Sequence, residues 1–231
     1  MKRWGPALIA LLLLGGTAVA FATTERQKLE KTPFAVLRLD EVLSPVCQCK
    51  TGRATLALRF HKKHVLTVEI RDADGRLVRT LTNEETVRNG TFDFDWNGRS
   101  DAGEVVPDGE YSLRIVLDNG REFNPPNPVR VDSVPPQATL ISYRPRVLRR
   151  SSRPRLHVRY RVNEGAHPIL YVNGKRAVLG IGTALVGKFD WFGRRDDRLL
   201  RPGRYRLQLA AVDLAGNLGE RTPPFVVRVR K

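Results

Sequence analysis

The chain has 231 residues, 41% of them apolar and 28% charged, with a net charge of +16. That length admits one or two domains, and that balance excludes an intrinsically disordered chain. The charge is lopsided: residues 1–137 hold 19 Lys/Arg against 18 Asp/Glu, whereas residues 138–231 hold 21 against 6.

Met1-Lys2-Arg3 precedes an uncharged apolar run over residues 4–24. Basic residues ahead of such a run stay inside and send the following chain outward. Residues 5–22 are long enough to span a membrane, and Ala20-Phe21-Ala22 suits small-x-small cleavage. Residues 1–24 are therefore read as an uncleaved anchor helix or a cleaved signal peptide, and either places the remainder outside the cytoplasm. Residues 25–50 are expected to be a polar stalk. Cys47-Gln48-Cys49 holds the only cysteines. Three readings stay open: a mutual bridge or two idle thiols, a bridge to another molecule, or half of a metal site without its other ligands.

A first β-module is expected over 51–131. Leu56, Leu58 and Phe60 alternate with Ala57 and Arg59, and Leu66, Val68 and Ile70 alternate with Thr67 and Glu69. This period of two marks half-buried antiparallel strands. Phe92, Phe94 and Trp96 alternate with Asp93 and Asp95, and Asn97-Gly98 then turns the chain. The next strand, 110–116, sends Tyr111, Leu113 and Ile115 inward. Asn124-Pro125-Pro126-Asn127-Pro128 forbids a central strand. Residues 132–140 read as a linker, and 141–231 as a second, basic module. There Leu156, Val158, Tyr160 and Val162 alternate with His157, Arg159 and Arg161. Tyr205, Leu207 and Leu209 alternate with Arg204 and Arg206, as Val227 and Val229 do with Arg228 and Arg230.

The two modules share a motif. Phe94-Asp95-Trp96-Asn97-Gly98-Arg99-Ser100-Asp101 returns as Phe189-Asp190-Trp191-Phe192-Gly193-Arg194-Arg195-Asp196, and a Pro, a Gly and a Tyr follow each, ending at Tyr111 and Tyr205. Trp96, Gly98, Asp101 and Tyr111, with Trp191, Gly193, Asp196 and Tyr205, are thus the expected structural residues of a repeated unit. This pattern resembles the immunoglobulin-like module of the flagellar hook-capping (FlgD-like) family and of many bacterial surface proteins. The resemblance covers residues 66–116 well, with a degenerate second copy over 169–211. It implies two tandem immunoglobulin-like β-sandwiches, an all-β fold, after an N-terminal apolar helix. It says little about function, because such modules are reused as spacers and adhesion units.

Asp93-x-Asp95-x-Asn97-Gly98-x5-Glu104 satisfies the EF-hand loop formula, but strands rather than helices flank it, and turn chemistry accounts for the same residues. No metal site or cofactor is expected. No catalytic residue is assigned: there is no Gly-x-Ser-x-Gly elbow or His-Glu-x-x-His, and the four histidines fall in hairpins or on strand faces.

Arg155, Arg159, Arg161, Arg204, Arg206, Arg228 and Arg230 are the candidate polyanion-binding residues. Guanidinium groups bind phosphate and carboxylate in bidentate fashion, and rows of them form one face if their strands share a sheet. The expected partners are an anionic envelope polymer, lipid headgroups or an acidic protein, with membrane contact through the N-terminal segment. Nucleic acid is discounted, because the chain is expected to be exported and the Arg rows hold few exposed aromatics for base stacking. The leading expectation is a non-enzymatic, extracytoplasmic binding or spacer protein of the cell envelope. The alternative is a structural or assembly scaffold of a surface appendage such as the flagellar hook.

Overall fold

The computed structural model describes residues 32–149, 154–196 and 198–231. The expected N-terminal helix, whether signal or anchor, lies outside the described residues. Among the described residues, no helix is long and apolar enough to cross a membrane. These residues are all-β, with one 3-10 turn at Lys50–Gly52.

The first half forms β1 (Phe34–Leu39), β2 (Val42–Leu43), β3 (Ala54–Phe60), β4 (His64–Arg71), β5 (Leu77–Val87), β6 (Gly90–Trp96), β7 (Gly109–Leu117), β8 (Glu122–Phe123) and β9 (Val129–Val131). One sheet runs β1-β3-β6 and the other β2-β9-β7-β4-β5, with β8 on the side of β7. The second half forms β10 (Ala138–Arg144), β11 (Val147–Arg149), β12 (Leu156–Val162), β13 (Ala166–Val172), β14 (Lys175–Leu179), β15 (Val186–Trp191), β16 (Arg194–Arg195), β17 (Arg198–Leu199), β18 (Gly203–Asp213) and β19 (Phe225–Arg230). Its sheets run β10-β12-β15 and β11-β19-β18-β13-β14, with β16-β17 as a small ribbon. The two strand orders correspond, down to the parallel pairs β2 with β9 and β11 with β19.

Each sandwich has its own core. The inward residues of β3, β4, β6 and β7 form the first, and those of β12, β13, β18 and β19 the second. Strand β12 shows the cause most plainly. Every second residue, from Leu156 to Val162, is buried, and His157, Arg159 and Arg161 between them are exposed.

Trp96 and Trp191 plug the two cores, each 2% exposed. The Trp96 indole N–H donates to the Arg99 carbonyl at 2.9 Å, and Trp191 donates to Arg194 at 2.8 Å. Tyr111 and Tyr205 donate their hydroxyls to the carbonyls four residues upstream, Pro107 and Arg201, each at 2.8 Å. The polar ends of these large side chains are thus satisfied locally while the rings bury. Gly98 and Gly193 follow the tryptophans with φ of +71° and +59°. At Gly98 a side chain is excluded twice over, since a Cβ would lie 2.9 Å from Pro45.

Two expectations change. Residues 25–50 do not remain a stalk throughout, because β1 and β2 belong to the two sheets of the first sandwich. Phe34 packs against Phe60 and Phe123, with ring centroids at 5.4 and 5.0 Å. Only Phe34 of β1 is fully buried, so this edge strand has no alternation to display. In addition, β10 already begins at Ala138, inside the expected linker of 132–140.

Candidate functional site

The seven candidate arginines do not lie on one face. Arg159 and Arg161 are exposed on β12, in the sheet β10-β12-β15, and Arg155 immediately precedes that strand. Arg204, Arg206, Arg228 and Arg230 lie on β18 and β19, in the opposing sheet. The expectation of a single row fails because β12 belongs to one sheet and β18 and β19 to the other. Arg155 is also engaged, 3.6 Å from Asp190 and stacked over the Phe192 ring at 5.6 Å.

Within the opposing sheet the register brings cations together. Arg204 stands opposite Arg228 on antiparallel strands, and Arg230 is in register with Arg149 of β11. All four are exposed. None of them has a carboxylate partner among the described residues. Strand direction puts them at the pole far from the first sandwich, since β18 begins at Gly203 and runs toward the joint at Asp213. Beside them, Asn173, Arg195, Asp196, Arg198, Arg201 and Tyr205 line an open cleft of about 550 Å³. Acidic groups occur at both ends, Asp190 beside Arg155 and Asp196 beside Arg195 among them. Glu164 and Asp213 sit at the joint, and Glu220 lines the groove against Pro135 and Pro136 of the linker. The second sandwich thus gathers four exposed arginines at its far pole, with Asp196 in the adjoining cleft, and carries Glu164, Asp213 and Glu220 at the joint.

The joint is built on Asn217, which is 4% exposed. Its side-chain amide donates to the Asp132 carbonyl at 2.9 Å and to the Asp213 carboxylate at 2.8 Å. Its side-chain oxygen accepts from the Ser44 hydroxyl at 2.5 Å. Ser44 belongs to the loop after β2, so one buried side chain ties the loop, the linker and the turn after β18 together. Thr51 adds a hydrogen bond to the Ala215 carbonyl at 2.5 Å. The linker also runs hard against Gly219, where a Cβ would fall 1.8 Å from the Pro136 carbonyl oxygen.

Asp132, Glu164 and Asp213 each place a carboxylate oxygen within 4.8 Å of the others, a spacing that hard cations accept. Burial pushes the Glu164 carboxyl above its ordinary value, the charges of Asp132 and Asp213 push the same way, and Arg130 opposes them. Arg130 pairs with Asp132 at 2.9 Å. The sequence reading did not find this group, whose members lie far apart in the chain and come from a linker, a loop that crosses between the sheets and a strand end.

The EF-hand formula does not produce a calcium loop. Asp93 and Asp95 lie on β6, with Asp95 accepting from Thr55 at 2.7 Å and Arg53 at 3.0 Å. Asp101 binds the Thr80 amide at 3.1 Å, joining the turn after β6 to β5. Its counterpart Asp196 has φ of +51° and lies 3.6 Å from Arg195. An exposed pair that the sequence reading missed is His157 and Asp190, opposite each other on β12 and β15 and 2.6 Å apart. It orients an imidazole on an open sheet face rather than in a cleft.

The cysteines are bridged to each other, Cys47 to Cys49. Their loop touches the second sandwich, with Cys49 Sγ 4.0 Å from the carbonyl oxygens of Ala215 and Gly216.

Residues 46–121 match the FlgD Ig-like domain family. The chain is 44% identical over 55 residues to the basal-body rod modification protein FlgD of Salmonella typhimurium, and equally to that of Salmonella typhi. The match covers 24% of this chain and 23% of either relative, so the chain spans less than a quarter of their length. Among solved structures, the fibronectin(III)-like modules of Clostridium thermocellum CbhA are similar with a TM-score of 0.44 and 15% identity, covering 85% of this chain and 92% of that one. A bacterial ice-binding adhesin is similar with a TM-score of 0.34 and 15% identity, covering 87% of this chain and 66% of that one. The similarity to FlgD thus falls, by the family match, on the stretch 46–121.

Proposed function

We propose that this chain is a non-enzymatic scaffold of a bacterial surface appendage, acting outside the cytoplasm. Its two sandwiches would be separate domains, the second a diverged copy of the first. The observation that carries this reading is the match of residues 46–121 to the FlgD Ig-like domain family, with 44% identity to FlgD over 55 residues of the chain. Corresponding strand orders and the repeated Trp and Tyr hydrogen bonds support the duplication. A scaffold role also suits a fold whose conspicuous polar residues are consumed by turns and by the joint. The test is to incubate the purified full chain with purified rod and hook subunits and follow co-sedimentation. Retention by either subunit, with appendages shortened or lost in a deletion strain, is the expected result. Intact appendages in that strain, with no retention, would end this reading.

One observation favours a second reading, that of an envelope spacer holding an anionic polymer. Arg149, Arg204, Arg228 and Arg230 stand exposed at the far pole, without a carboxylate partner among the described residues. Such a pole would bind phosphate or carboxylate groups through charge-assisted pairs, an anionic membrane surface or an acidic protein being the other sources. Attraction of this kind weakens as salt shortens the Debye length, from about 10 Å at 0.1 M to about 3 Å at 1 M. Titration against wall polymer, anionic vesicles and appendage subunits over that salt range separates the three. Binding indifferent to salt would exclude a charged contact.

A further inference from the structure

The Cys47–Cys49 bridge lies where the two sandwiches meet. It shapes a loop closed at its base by the Ser44 amide donating to the Thr51 carbonyl at 2.9 Å. Both ends of that loop grip the second sandwich, Ser44 through Asn217 and Thr51 through Ala215. The sulfurs press on the turn between those two contacts. A Cβ on Gly216 would lie 2.4 Å from Cys49 Sγ and 3.2 Å from Cys47 Sγ, and Gly216 has φ of +88°. No side chain fits between bridge and turn.

We propose that the bridge is a redox latch on the joint, an inference independent of the appendage reading. Bridged, the loop holds the turn of residues 213–217 and with it the orientation of the second sandwich. A dithiol reductant supplies two electrons and two protons. The S–S bond breaks into two thiols, and the dithiol closes into its own disulfide. Bonded sulfurs sit about 2.05 Å apart, whereas non-bonded heavy atoms settle at about 3.5–4.0 Å. The separating thiols therefore widen the loop, and the backbone of Gly216 is in their way. The turn is displaced, the contacts from Ser44 and Thr51 lengthen, and the sandwiches hinge at Ser133-Val134-Pro135-Pro136. Cys49 is exposed and Cys47 half-buried, so a reductant has access.

The experiment uses the full chain purified without reductant. Intact mass and alkylation give the state of the bridge, hydrogen exchange reports on the joint, and small-angle scattering reports the radius of gyration. The bridge is expected to be present on isolation and to open with dithiothreitol. On opening, the amides of Asp132, Asn217 and Thr222 should exchange at least ~tenfold faster, while core amides such as Val68 and Leu207 hold their rates. The radius of gyration should rise. The double variant Cys47→Ser with Cys49→Ser should match the reduced protein without any reductant. Unbridged cysteines on isolation, a bridge that dithiothreitol does not open in the folded protein, or opening that leaves exchange and scattering unchanged would each overturn the proposal. So would core amides accelerating as much as those of the joint, since that is loss of the fold rather than release of a latch.

Discussion

Arg204 and Arg228 face each other across β18 and β19, and neither has a carboxylate partner among the described residues. Like charges directly opposite on a sheet destabilise it. Arg228→Ser should therefore raise the urea midpoint, by the equivalent of about 0.2–1 kcal/mol, and should weaken binding to an anionic polymer. Both measurements belong on the same sample. A lowered midpoint would mean that the two guanidinium groups do not repel.

The cores of the two sandwiches share no residue. Trp96→Ala should cost about 3–5 kcal/mol in the first sandwich alone, and Trp191→Ala as much in the second. Calorimetry should show one transition moving down while the other keeps its temperature. A common shift of both transitions would contradict separate cores.

Two glycines with positive φ separate backbone strain from crowding. At Gly103, with φ of +81°, a Cβ meets nothing within 4 Å; at Gly98, with φ of +71°, it meets Pro45 at 2.9 Å. Gly103→Ala should cost about 1–2 kcal/mol from the left-handed backbone alone. Gly98→Ala adds the overlap and should cost about 2–4 kcal/mol. Chemical denaturation of the two variants side by side checks the order.

Removing the Asn217 side chain strands several polar groups in a buried place. Asn217→Ala leaves the Ser44 hydroxyl, the Asp132 carbonyl and an Asp213 oxygen without this partner. A cost of about 2–4 kcal/mol is expected, on the scale of one or two buried unsatisfied groups. Limited proteolysis should show new cleavage in the linker around Val134. An uncut linker would argue that other contacts hold the joint.

The joint also carries a pH dependence of definite sign. Burial, and then the charges of Asp132 and Asp213, raise the Glu164 carboxyl above its ordinary value of 4.5. A carboxyl raised on folding binds its proton more tightly in the native state. Its contribution is fully present below about pH 4.5 and is lost as pH rises through the folded value. Glu164→Gln should therefore be more stable than the parent at neutral pH, and the difference should close on acidification toward 4.5. Thermal melts at pH 7 and pH 5 test this, and an unchanged difference between them counts against it.

Local relationships were the most legible part of the sequence. Phe94 and Trp96 point inward because a strand alternates, and Trp96 and Tyr111 find their hydrogen bonds within four residues. The same residue types recur at Trp191 and Tyr205, whose hydrogen bonds also close within four residues. Relationships that depend on topology were hidden. Nothing local assigns Arg159 and Arg204 to different sheets. Phe34 is the one fully buried residue of an edge strand and leaves no pattern. Asn217 meets Ser44 across 173 residues, and no spacing rule brings those two together.

The direction in which the chain threads each sandwich has a further effect. It enters the first at Phe34, opposite Phe60, and leaves at Val131 beside the joint. It enters the second at Ala138, next to Val162, and leaves at Arg230 at the far pole. Each unit is thus traversed from one end to the other, like a bead on a string. A third bead spliced in at the joint would lengthen the described portion of the string by one increment, so reach would grow in whole steps.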